Sequence, residues 1–259
     1  MTDGAPEQMT DGGRKKVASA LAPLQLSGEH HLCPGCGHPV AWRLLLEVIA
    51  ELQLAGRAIG VVGHGCYTNI VQLADIDFLQ CLHGRAPAVA TGVKRVQPEA
   101  AVFTLQGDGD VASEGLAEVL HAAARGERIT TIMLNNGVFG DTGGQMTAAS
   151  VIGQRTKTSL DGRDAETHGY PVPVADLVAS LAGSAYVARG SVNHAGSIAQ
   201  TKRYMKRAFE LAVGGVGFTF VEVLTMCPTG WFLPTADGPG YLDGTFEQTY
   251  PLGVLKDCR

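Results

Sequence analysis

Val102-Phe-Thr-Leu-Gln-Gly-Asp-Gly-Asp110 runs from a short apolar stretch directly into a glycine–aspartate turn. A helical pattern over 113–125 follows, then a second apolar run, Ile129–Leu134, that stops at Asn135-Asn136-Gly137. Strand, turn, helix and strand in that order make one βαβ unit. The same alternation continues outward. Ala58–Val62, Ala101–Leu105, Ser184–Ala188 and Gly217–Leu224 also read as buried strands, with helical patterns at about 84–97, 173–182 and 194–213. Val40, Leu44, Leu45, Val48, Ile49 and Leu52 recur at three- and four-residue spacing, which predicts an amphipathic helix ending near Gly56. The strands show no inside/outside alternation. They predict an α/β fold with a mainly parallel sheet covered by helices on both faces.

Composition agrees with one such domain. The 259 residues are 45% hydrophobic and 17% charged, enough for one sizeable core. Twenty Lys and Arg against 25 Asp and Glu give a net charge of −5 without a basic cluster, so neither a nucleic acid nor an anionic membrane surface is expected as partner. The first 30 residues lack the apolar run of a secretory signal, and no stretch approaches the ~18–20 apolar residues of a membrane span. A cytoplasmic setting is expected, with the six cysteines reduced, metal-bound or catalytic. Residues 1–28 read as a polar N-terminal arm, 29–227 as the domain proper, and 228–259 as a Gly- and Pro-rich tail. The tail carries Trp231, Phe232, Leu233, Tyr241, Phe246 and Tyr250, and is assigned to partner contact, with a strap over its own core as the other reading.

The turn after Leu105 poses an electrostatic problem. Free backbone N–H groups where a strand runs into a helix suit a phosphate, yet Asp108 and Asp110 would repel one. A divalent cation bridging carboxylate and phosphate oxygens removes the conflict. Asn136 ends the next strand 28 positions later, and ends of adjacent parallel strands share an edge. Its amide oxygen and a carbonyl near Val138 could therefore complete an oxygen shell with Asp108, as Mg²⁺ prefers.

A second constellation is sulfur. Cys33-Pro-Gly-Cys36 is a C-x-x-C turn, Cys66 follows the Ala58–Val62 strand, and Cys227 follows the Gly217–Leu224 strand. Four thiolates suit a [4Fe–4S] cluster or tetrahedral zinc. A zinc ribbon would bring a second close knuckle, and here the other two cysteines stand about 160 residues apart, which favours a cluster. Cys81 is expected in the core and Cys258 free.

Taken together, His83-Gly-Arg-Ala-Pro-Ala-Val-Ala-Thr-Gly92, Gly107-Asp-Gly-Asp110 and Leu134-Asn-Asn-Gly-Val-Phe-Gly-Asp-Thr-Gly-Gly-Gln145 resemble the β subunit of the 2-oxoacid:ferredoxin oxidoreductases, from about Cys33 to Cys227. The resemblance implies the thiamine diphosphate-binding fold, with Mg²⁺ on Asp108, Asn136 and the Val138 carbonyl. It implies that His83, Gly107, Gly109, Asp110 and Thr142 line the diphosphate together with Asp108, Asn136 and Val138. It also implies a [4Fe–4S] cluster on Cys33, Cys36, Cys66 and Cys227. Asp141 departs from the pattern, which has a larger apolar residue before Thr-Gly-Gly-Gln. The implied reaction converts a 2-oxoacid and coenzyme A to acyl-CoA and CO₂, in either direction, with electrons passing to ferredoxin. No catalytic residue is assigned on this chain. The glutamate that activates the cofactor is expected from an α subunit carrying the pyrimidine-binding domain, and a ferredoxin-like subunit could complete the complex. The Thr229-Gly-Trp231 stretch resembles branched-chain and 2-oxoglutarate enzymes more than pyruvate enzymes. Two other readings stay open: a subunit of a non-oxidative thiamine diphosphate decarboxylase or synthase, and a zinc-stabilised binding module without activity.

Overall fold

The structure, a computed structural model, describes residues 27–258. Its strands are β1 (Ala58–Val62), β2 (Asp77–Gln80), β3 (Ala101–Gly107), β4 (Thr130–Asn135), the two-residue β5 (Val138–Phe139) and β6 (Gln145–Met146), then β7 (Ser184–Ser191), β8 (Phe218–Leu224) and β9 (Gly253–Asp257). The helices that matter here are α1 (His38–Glu51), α2 (Ala86–Val96), α3 (Leu116–Ala124), α4 (Ala165–His168), α5 (Val174–Ser180), α6 (Ala195–Val213) and α7 (Pro228–Trp231).

Seven strands form one sheet in the order β2-β1-β3-β4-β8-β7-β9, parallel except for β9, which runs antiparallel to β7. Every residue of β4, β7 and β8 is buried, as a sheet covered on both faces requires. Helix α6 lies across β7 and β8 and packs on α1; α2, α3 and α5 follow one another against the other face. None of the described helices is long and apolar enough to cross a membrane.

Register is what builds the site. Gly107 lies beside Leu134, and Asn135 beside Leu224, so β3, β4 and β8 end level with one another. Val62 lies beside Leu105, which brings the end of β1 to the same rim. The residues that follow these ends (63–66, 108–110, 136–140 and 225–227) therefore crowd together at the carboxyl edge, where open α/β sheets bind ligands. The Gly37 N–H donates to the Met226 carbonyl (3.0 Å) and draws the Cys33–Cys36 knuckle there too.

Four features differ from the sequence expectation or fall outside it. The helix expected from 113 begins as a wide turn over Gly109–Glu114, and regular α3 starts only at Leu116. The side chain of Asp110 bonds to Gly84 and Tyr67, and these tertiary ties override the regular turn. The edge strands β2 and β9 were not expected, because each is short and partly exposed and carries no apolar run. The tail is part of the fold: β9 joins the sheet, while Trp231, Leu242, Phe246 and Tyr250 are buried in the chain's own core. Phe232, at 42% exposure, is the tail aromatic left open. The arm expected over 1–28 lies outside the described residues except for Ser27 and Gly28.

Candidate functional site

Two cavities open at the carboxyl edge of the sheet. The first is walled by Gly107, Asp108, Gly109, Asp110, Asn136, Val138 and Thr142, with His38, His64, Tyr67 and His83 around them. The second is walled by Cys33, Cys36, Cys66 and Cys227, with Gly144, Lys157 and Phe232 at its side. His38, Cys66, Asn136 and Gly140 belong to both walls, so the cavities adjoin.

Asp108 is the charge at the floor of the first cavity, 1% exposed. Its carboxylate accepts from the Asn136 N–H (3.2 Å) and from the Thr147 hydroxyl (2.5 Å). No lysine or arginine among the described residues pairs with it. Burial pushes its pKa up to about 7, and the two hydrogen bonds only partly offset that. A buried carboxylate with no cationic partner is a group that a divalent cation would complete. The Asn136 amide oxygen accepts from the Val138 N–H (3.1 Å), and its Nδ2 lies 3.3 Å from His38 Nε2. Burial lowers the His38 pKa to about 4, so the ring is neutral and accepts that contact. The turn between the two asparagines and Val138 requires Gly137, which sits at φ +67 against Gln154 and Phe246.

The remaining expected diphosphate residues divide. Asp110 is at the cavity, but its carboxylate is already engaged by Gly84 N–H (2.6 Å), Gln106 Nε2 (2.7 Å) and Tyr67 OH (3.1 Å). It ties the ends of β1 and β3 and the His83–Gly84 loop together. His83 lies on the rim, with Nδ1 3.0 Å from Glu114 and 3.7 Å from Asp110. Thr142 is exposed on the opposite rim and donates to Gln145 (2.8 Å).

The sulfur cavity gathers all four expected cysteines. A Cβ on Gly140 would sit 3.2 Å from Cys66 Sγ and 3.8 Å from Cys227 Sγ, so this glycine lies against both sulfurs and a side chain there would press on Cys66. Burial pushes Cys36 up to about 11 and Cys66 and Cys227 up to about 12, with neighbouring cysteines adding to each. Without a metal these are neutral thiols; a bound metal ion would reverse that preference and release the protons. Cys81 and Cys258 lie elsewhere, each bonded through Sγ to a backbone carbonyl, of Val62 and Ser184 respectively.

Sequence reasoning missed three contributors. Thr147, which orients Asp108, follows the Thr-Gly-Gly-Gln run by two positions. Trp231 donates its indole N–H to the Asn136 carbonyl (2.7 Å), and so links the tail to the cation turn. Arg163, 5% exposed, bonds the carbonyls of Thr147, Ala148 and Ser150 and holds the loop that carries Thr147. Only Thr147 had a local sequence signal; the other two act across long separations.

Comparison with known proteins gives these groups a context. Residues 59–223 match the thiamine pyrophosphate enzyme, C-terminal TPP binding domain. The chain is 33% identical to the 2-oxoglutarate synthase subunit KorB of Archaeoglobus fulgidus over 216 residues, covering 83% of this chain and 76% of that one. It belongs to the thiamine diphosphate-dependent 2-oxoacid:ferredoxin oxidoreductase subunits. The ketoisovalerate oxidoreductase subunit VorA of Methanothermobacter thermautotrophicus is 37% identical over 252 residues, 97% of this chain and 52% of that one. The chain thus spans about half the length of that relative. Among solved structures, a 2-oxoglutarate:ferredoxin oxidoreductase from Magnetococcus marinus, with 2-oxoglutarate, coenzyme A and succinyl-CoA bound, superposes with a TM-score of 0.70 at 28% identity. The match covers 80% of this chain and 67% of that one. The matched segment, 59–223, contains Asp108 at the floor of the first cavity, Asn136 in the wall of both, and one of the four cysteines, Cys66.

Proposed function

We propose that this chain is the β subunit of a 2-oxoacid:ferredoxin oxidoreductase, holding thiamine diphosphate through Mg²⁺ beside a [4Fe–4S] cluster. The observation that carries the reading is the shared wall: four cysteines line one cavity, and the unpaired Asp108 carboxylate lies in the next, with Cys66 and Asn136 in both. The proposed reaction is CoA-dependent oxidative decarboxylation of a 2-oxoacid to acyl-CoA and CO₂, in either direction, in the cytoplasm. The relatives named for ketoisovalerate and 2-oxoglutarate support that substrate class.

The donor sets fit both groups. Asp108, the Asn136 amide oxygen and the Val138 carbonyl offer hard oxygens to Mg²⁺, while Cys33, Cys36, Cys66 and Cys227 offer thiolates to iron. When bound, the cofactor supplies an electron sink for decarboxylation and the cluster a one-electron outlet. The chain's own residues do the holding. Thr147 and the Asn136 N–H fix the orientation of the Asp108 carboxylate. Gly107, Gly109, Thr142 and His83 border the space left for the diphosphate, and Asp110 keeps those borders together. Neutral His38 steadies the Asn136 amide and separates the oxygen end from the sulfur end. The general acid–base glutamate is proposed to come from an α subunit with the pyrimidine-binding domain, with ferredoxin, or a ferredoxin-like subunit, taking the electrons. The tail beyond 227 is proposed to meet that partner through the exposed Phe232.

The test is anaerobic purification of the co-expressed complex, followed by iron, sulfide and zinc analysis, absorption near 400 nm and Mg²⁺-dependent thiamine diphosphate binding. A brown complex that binds the cofactor, with Asp108→Ala losing the cofactor but keeping the colour, is the expected result. One zinc and no sulfide would leave a zinc-stabilised module; cofactor binding without iron would leave a non-oxidative enzyme.

A further inference from the structure

A charged network runs through the sheet beneath the cation turn, and none of its members takes part in the proposed holding of metal or cofactor. Glu222 on β8 and Arg189 on β7 are 0% and 2% exposed. Glu222 Oε2 accepts from Arg189 Nε (2.7 Å), and Glu222 Oε1 accepts from Asn135 Nδ2 (2.7 Å). The Asn135 amide oxygen in turn accepts from the Gly137 N–H (3.1 Å). On the far side Arg189 donates to Asp176 on α5 (2.7 Å) and to the Pro251 carbonyl (3.0 Å). Burial works against the Arg189 charge, but Glu222 and Asp176 outweigh it and keep its pKa above the ordinary value.

Buried ion pairs of this kind add little stability over apolar residues of the same volume, because desolvation cancels most of the attraction. In some proteins what they contribute instead is geometric definition. Here the end of the network is the turn 135–138. The Gly137 carbonyl is held from the other side by Ser150 and Gln154, and its N–H donates to Asn135. We propose that Glu222, clamped by Arg189, is a positioning residue: through Asn135 it sets the turn that presents the Asn136 amide oxygen and the Val138 carbonyl toward Asp108. This rests on the Mg²⁺–thiamine diphosphate reading above. Mg²⁺ demands near-octahedral geometry, whereas Ca²⁺ tolerates irregular shells. A loosened turn therefore changes the choice between the two cations, which a loss of stability alone does not.

The experiment titrates Mg²⁺ and, separately, Ca²⁺ into the co-expressed complex at fixed thiamine diphosphate, reading cofactor binding by calorimetry. Asn135→Ala, and Glu222→Gln, whose single oxygen can no longer serve Asn135 and Arg189 with separate atoms, are each expected to weaken Mg²⁺ about tenfold or more, the range of outer-shell changes at metal sites, and Ca²⁺ distinctly less. Asp176→Asn, which loosens only the outer end of the network, is expected to lower the melting temperature and leave both cation affinities unchanged. If Asn135→Ala does not fold, Asn135→Ser gives the same ratio. Equal loss for both cations, no loss, or a matching loss in Asp176→Asn would overturn the inference while leaving the reading intact. Wild-type complex that binds no thiamine diphosphate with either cation would remove the reading, and the inference with it.

Discussion

The oxygen end and the sulfur end of the site share a wall but are built in opposite ways. At the oxygen end, Asp108 and Asn136 come from the ends of two adjacent strands; Asp108 accepts from Thr147 and the Asn136 N–H, and the Asn136 side chain bonds to Val138 and His38. At the sulfur end, the cysteines come from a knuckle before α1, the loop after β1 and the loop after β8, and burial keeps three of them as neutral thiols. Backbone N–H groups of His38 and Gly230 bond the Cys36 and Cys227 sulfurs, and packing of the loops does the rest. The difference teaches that Mg²⁺, which demands near-octahedral geometry, suits oxygens oriented by the protein's own hydrogen bonds, whereas sulfur ligands can be drawn into place by the metal they bind.

Several variants test that contrast. Cys66→Ala carries the largest effect: the absorption near 400 nm is expected to vanish, while Mg²⁺-dependent cofactor binding is retained, because no cysteine is among the oxygen donors. A parallel loss of cofactor binding, seen by calorimetry, would show that the two ends are one cooperative unit. Thr147→Val removes the hydroxyl that orients Asp108 and with it the acceptor of the Ala149 N–H, so melting curves accompany the binding measurement. The substitution is expected to cost about tenfold in Mg²⁺ affinity, the size of one hydrogen bond to a charged group, with the iron content unchanged.

The smallest effect sets the background. Lys202 joins α6 to α1 through Glu47 (2.6 Å) and Glu51 (2.7 Å), far from both cavities. Partial burial raises the Glu47 pKa, but bonds from Lys202 and Arg43 outweigh it; bonds from Lys202 and Lys206 do the same for Glu51, so both stay below the ordinary 4.5. A carboxylate with a depressed pKa stabilises the fold above its unfolded value and loses that contribution as pH falls through the folded one. Melting curves should therefore show Lys202→Met losing under about 1 kcal/mol at neutral pH, and less difference from wild type below about pH 4. Neither cofactor nor iron should respond. If they do, the α1–α6 face is coupled to the site and the division into two ends is too simple.

The parallel strands with their helices, the βαβ unit carrying Asp108 and Asn136, and the C-x-x-C knuckle were legible in the amino-acid order, because each depends on residues close in the chain or on an apolar run that only burial on both faces permits. The edge strands β2 and β9 were not, since four or five half-exposed residues leave no such run. Nor were the roles of Trp231, Arg163 and Glu222: Trp231 reaches Asn136, 95 positions away, Arg163 reaches Thr147 and Ser150, 16 and 13 away, and Glu222 reaches Asn135 and Arg189, 87 and 33 away. Local order determined which groups exist and which strand end each one follows. Only the level register of β1, β3, β4 and β8 decided that they share a rim, since hydrogen bonding between strands is a property of the folded sheet and of no single segment.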